Sequence, residues 1–143
     1  MKASHNHNNK ILIVEDELFL LNVLSDKFKR EGFRVIQATD GQKGLDAAAK
    51  HKPDLILLDI VMPLVDGVTM IKRMRSDARI NNIPVIIISN LSEVERIAEI
   101  LGAKTGVIEY LVKSHWSLEG VVKKVRDTLQ VYSLLQQTSG TQA

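Results

Sequence analysis

Leu55-Ile56-Leu57-Leu58-Asp59 joins four aliphatic residues to one acid. The run is too short for a helix of its own, and its apolarity is continuous rather than alternating. Continuous apolarity means that both faces of a strand are covered, as in a parallel sheet flanked by helices. Working outward, Ile11-Leu12-Ile13-Val14 and Val85-Ile86-Ile87-Ile88 read the same way. Phe33 to Ala38 is more mixed and suits an edge strand, and Val107 to Val112 is a fifth.

Between these runs the period becomes helical. Leu18, Leu21, Leu24 and Phe28 form one inward stripe, with Gly32 as its stop. Asp40 can cap a second helix that continues through Lys50 and ends before Pro53. Val68, Ile71 and Met74 mark a third. Ser92 with Glu95 forms a capping box for a fourth, whose stripe is Val94, Ile97, Ala98 and Leu101, closed by Gly102. Ser117 can cap a fifth, with Leu118, Val122, Val125, Leu129 and Tyr132 inward. Strict βα alternation predicts an α/β fold: a doubly wound five-stranded parallel sheet with five helices.

The 143 residues fit one domain, with a 45% apolar content ordinary for a globular protein. A formal net charge of +2 without a basic run predicts no direct nucleic-acid contact. The absence of cysteine excludes disulfides and thiolate metal ligation, and fits a bacterial cytoplasmic protein. No apolar stretch approaches the ~18 residues that span a bilayer, so no membrane role is expected. Residues 1–9 read as a disordered tail and 138–143 as another, leaving the domain at 10–137.

In such a sheet, ligands bind at the carboxyl ends of the strands. Strand 1 ends in Glu15-Asp16, strand 3 in Asp59, strand 4 in Ser89 and strand 5 in Lys113. Singly, an acid there is a helix cap, a lysine is solvated and a serine is a turn residue. Together they set acids, a hydroxyl and an ammonium on one rim. Clustered carboxylates repel and call for a hard divalent cation with oxygen ligands. Beside that cation a carboxylate can attack phosphorus, and charge on the phosphoryl oxygens is neutralised from both sides.

Four stretches carry a resemblance: Ile11-Leu12-Ile13-Val14-Glu15-Asp16, Leu57-Leu58-Asp59-Ile60-Val61-Met62-Pro63-Leu64-Val65-Asp66-Gly67, Ile86-Ile87-Ile88-Ser89 and Tyr110-Leu111-Val112-Lys113. Over residues 10 to 130 or so, the chain resembles the receiver domain of two-component response regulators. The resemblance implies strand order 2-1-3-4-5 and a phosphoryl group on Asp59. It implies Mg²⁺ (or Mn²⁺) held by Asp16, Asp59 and the Val61 carbonyl, with Glu15 acting through water. Lys113 would pair with the phosphate, Ser89 would bond it, and Tyr110 would turn inward as Ser89 moves. The implied partners are a histidine kinase or histidine phosphotransfer protein and an unknown downstream protein. The chain departs from the family pattern at Ser114, where proline is usual, and at Asn90, where a small residue is usual.

Rival readings have specific failings. A flavodoxin-like cofactor module would need a Gly/Ser/Thr-rich loop after strand 1, where Glu15-Asp16-Glu17 stands. An aspartyl hydrolase of the dehalogenase kind would carry a second Asp where Val61 is. A degenerate receiver would lack the full set of acid, hydroxyl and lysine. The expected role is therefore a phosphoacceptor switch with slow self-dephosphorylation, not an enzyme acting on a separate substrate. On the first helix, Phe19 and Val23 are expected to face outward and to dock the phosphodonor. On the last, Val131, Leu134 and Leu135 continue beyond the core stripe, which suits a homodimer or a linker helix.

Overall fold

The apolar runs pair into one sheet whose two faces are both covered. The computed structural model describes residues 9–59, 67–89, 107–112 and 116–142, without the side chains of 107–109, 112 and 136–142. The strands are β1 (Lys10–Val14), β2 (Arg34–Ala38), β3 (Leu55–Asp59), β4 (Val85–Ser89) and β5 (Val107–Val112). All neighbours are parallel, in the order β2-β1-β3-β4-β5 that the family resemblance implies. β5 carries one irregularity: Val85 pairs with Val107 but Ile86 with Glu109, so Ile108 is an extra residue on its strand.

The described helices are α1 (Leu18–Arg30), α2 (Gly41–His51), α3 (Gly67–Arg75) and a long C-terminal helix (Leu118–Gln142). The helix expected after Ser92 lies outside the described residues. Successive strand residues alternate between two cores. Leu12, Ile56, Leu58 and Ile87 meet Met70 and Ile71 on the α2–α3 side. Ile11, Ile13 and Leu57 meet Leu21, Phe28 and Val125 on the other side, under α1 and the C-terminal helix. Phe28 is wholly buried, so truncating it to alanine would cost about 3–5 kcal/mol.

Local chemistry sets the helix ends. The Asp40 side chain accepts from the Lys43 N–H at 2.8 Å and so caps α2. Ser117 Oγ accepts from the Gly120 N–H at 3.0 Å and caps the C-terminal helix. Gly32 stops the chain after α1 with φ 96°, a left-handed conformation that favours glycine. Gly44 permits a close approach between helices, since a Cβ there would lie 2.9 Å from Met70 Cε.

The structure departs from the periodicity at some positions. Leu18 is 62% exposed instead of facing the core. It is the first residue of α1, and side chains lean toward a helix N-terminus, so it projects past the end of the sheet. Leu21, one turn lower, is the first of the stripe to be buried. Val23, expected outward, is half-buried. Phe33 precedes β2 and packs edge-on against Phe28, with ring centroids 5.2 Å apart. The C-terminal helix runs to Gln142, through residues that the composition marked as a tail.

Candidate functional site

The carboxyl ends of β1, β3 and β4 lie side by side because the register aligns Val14 with Leu58 and Asp59 with Ile88. Asp59 and Ser89 are the last residues of their strands, and Glu15 and Asp16 follow β1 directly. Glu15, Asp16 and Asp59 each present a carboxylate oxygen, and these atoms all lie within 4.8 Å of one another. Glu15 and Asp59 are 3% and 5% exposed, while Asp16 is open to solvent. The cluster is thus walled by protein on two members and entered from the third.

Backbone geometry holds it in shape. The Glu15 N–H continues the β1–β2 ladder by donating to the Ala38 carbonyl at 3.0 Å. The Glu17 N–H donates to Glu15 Oε2 at 3.1 Å, which orients that carboxylate at the start of α1. Three acids this close repel one another, and an all-oxygen donor set suits a hard divalent cation.

Ser89 ends the next strand. It is 1% exposed, and its hydroxyl has no hydrogen-bond partner among the described residues. A buried hydroxyl without a partner is uncommon and marks a place where a polar ligand atom can be received. Tyr110 pairs in register with Ile87, and its ring packs against the α2–α3 core. Burial pushes its phenol above the usual range. Lys113 and Val61 lie outside the described residues. The sequence did not single out Trp116. Its ring packs on the α1 side, and its indole N–H is buried without a partner among the described residues.

A model of the response regulator receiver domain matches residues 11–126. The chain belongs to the response regulator receiver family. It is 35% identical over 127 residues to sporulation initiation phosphotransferase F of Bacillus subtilis, covering 87% of this chain and 94% of that protein. It is 36% identical over 121 residues to the DNA-binding dual master transcriptional regulator RpaA of a Synechocystis strain, covering 85% of this chain. There it spans about half of the relative, 49% of its length. Among solved structures, the receiver domain of the Francisella response regulator 1452 superposes with a TM-score of 0.75 at 30% identity, over 87% of this chain and 99% of that one. The receiver is thus a signalling domain of two-component systems, with its acid cluster at the carboxyl rim of the sheet. No helix among the described residues is long and apolar enough to cross a membrane.

Proposed function

We propose that this receiver accepts a phosphoryl group on Asp59 and changes its partner binding in response. The observation that carries the reading is the buried Asp59 carboxylate, set with Glu15 and Asp16 within 4.8 Å at the strand ends. An Asp59 carboxylate oxygen attacks phosphorus and forms the acyl phosphate O–P bond. The bond from phosphorus to the donor breaks, and its electron pair stays with the donor atom, a histidine ring nitrogen in a kinase or phosphotransfer protein. No further oxidant or co-reactant is needed.

The three acids fit Mg²⁺ (or Mn²⁺); Asp16, Asp59 and, by the family resemblance, the Val61 carbonyl would hold the ion directly, and Glu15 would act through water. When bound, the ion neutralises charge on the acids and on the phosphoryl oxygens. Ser89 donates its otherwise unpartnered hydroxyl to a phosphoryl oxygen, and the Lys113 ammonium pairs with another. As Ser89 moves toward the phosphate, Tyr110 turns further into the core, which changes the surface around β5. The downstream partner is a protein, reached in the cytoplasm. No nucleic-acid contact is assigned to a chain of net charge +2.

Intact mass after incubation with a small phosphodonor and Mg²⁺ tests the reading. Wild type should gain one phosphoryl group, and Asp59→Asn should gain none. Equal gain by both would place the acceptor elsewhere.

A further inference from the structure

Trp116 is the only tryptophan in the chain. Its ring packs on the α1-side core, in the cluster that Leu20, Leu111 and Leu118 also join. Its indole N–H is buried without a partner among the described residues. Among those residues, then, apolar packing of the ring holds it and no hydrogen bond does.

Its place in the chain gives it leverage. β5 ends at Val112, which pairs in register with Ser89, and Lys113 is the next residue. Trp116 comes three residues after Lys113. Ser117 follows and fixes the start of the C-terminal helix: its Oγ accepts from the Gly120 N–H at 3.0 Å and its carbonyl from the Val121 N–H at 2.9 Å. Val121 is fully buried. Lys113, Ser114 and His115 are thus the whole connection between a paired strand end and a packed ring. The four residue steps from Val112 to Trp116 reach at most about 14 Å, so both ends of the connection bear on Lys113.

A lysine needs that bearing. Its ammonium is a point charge on a flexible four-carbon stem, so the backbone at its root sets where the charge can stand. Ser114 does not stiffen that root, since only a proline ring locks its own φ near −65°. Among the described residues, Trp116 is the packed side chain nearest to Lys113 in sequence on the helix side.

We propose that Trp116 is a positioning residue: it anchors the far end of the three-residue connection in the α1-side core and so fixes where the Lys113 ammonium meets the phosphoryl oxygens. This rests on Lys113 pairing with the phosphoryl group, as proposed above. Trp116 acts through Lys113 and takes no part in bond making. Because no described group accepts from the indole N–H, phenylalanine can serve in its place.

A double-mutant cycle tests this, with phosphoramidate and Mg²⁺ as reagents and intact mass as the readout. Lys113→Ala and Trp116→Ala should each slow phosphoryl uptake, the second by roughly ten- to a hundredfold, the scale of a small misplacement of a reacting geometry. The double variant should be no slower than Lys113→Ala alone, because an ammonium that is absent cannot be misplaced. Trp116→Phe should take up the group like wild type. Trp116→Ala should keep wild-type Mg²⁺ affinity, since the acid cluster belongs to the ends of β1 and β3. Trp116→Leu, a smaller truncation, serves in the same cycle where the alanine variant loses its far-UV circular dichroism. Losses that multiply in the double variant would mean that Trp116 acts on the fold at large, and the inference fails. It fails as well if Trp116→Phe is as slow as Trp116→Ala. Wild-type uptake by Trp116→Ala beside slow uptake by Lys113→Ala would overturn the positioning role and leave the Lys113 role standing. Wild-type uptake by Lys113→Ala would remove both.

Discussion

Replacing Asp59 with asparagine should make the metal-free receiver more stable, and adding Mg²⁺ should shrink or reverse that advantage. Two unit charges 4.8 Å apart repel by about 3.5 kcal/mol at an effective dielectric constant near 20. Asp59 faces both Glu15 and Asp16, so the gross repulsion that Asp59→Asn removes is about 7 kcal/mol before screening. Solvent at the exposed Asp16 screens much of its share, and hydrogen bonds such as Glu17 N–H to Glu15 offset part of the rest. A net gain of about 1–2 kcal/mol is expected, a rise in Tm of roughly 3–6 °C for a chain of this size. Mg²⁺ at a hundredfold excess over its Kd would add about 2.7 kcal/mol to wild type, and less to a variant missing one ligand. The assay is thermal unfolding by circular dichroism with chelator and with Mg²⁺. If Asp59→Asn melts no higher than wild type in chelator, repulsion within the cluster is the wrong account. An equal Mg²⁺ increment in both proteins would remove Asp59 from the ligand set.

Asp16→Asn should weaken Mg²⁺ affinity in a direct titration, since Asp16 is the acid open to solvent, and unchanged affinity would exclude it as a ligand. Leu18→Ala with Phe19→Ala should slow phosphoryl transfer from a kinase but not from a small phosphodonor, because both side chains stand exposed beside the rim. Equal slowing of both reactions would reject a docking role. Asp40→Ala should cost about 1 kcal/mol through loss of the cap on the Lys43 N–H, read as a drop in Tm. Val61→Asn, alone or with Leu91→Glu, should speed loss of the phosphoryl group: the family resemblance implies that these positions, two after Asp59 and two after Ser89, flank the approach of water, and neither native side chain can hold one. The phosphorylated mass followed over time with donor removed would contradict this if wild type decayed as fast.

Much of this architecture is legible because burial on both sheet faces leaves a direct trace. The β3 and β4 runs are apolar at every position because each side of the sheet carries helices. Asp40 and Ser117 are readable because capping is local chemistry. The acid cluster is readable because strand ends bring distant residues together once the order is known. Leu18 misleads because periodicity does not mark where the sheet stops. The extra residue at Ile108 leaves no trace because a bulge is a property of the pairing. Tyr132 reads as one more apolar position, yet its hydroxyl reaches a carbonyl fifty residues away in the chain.

That contact also ties the C-terminal helix to the edge of the sheet opposite the acid rim. The C-terminal helix starts beyond the end of β5 and runs back along the sheet, so Tyr132 meets Asn82 just ahead of β4, at the edge where the strands begin. Asp59 closes β3 at the opposite edge. Leu18 and Phe19 share Asp59's edge, while Val131, Leu134 and Leu135 share that of Tyr132.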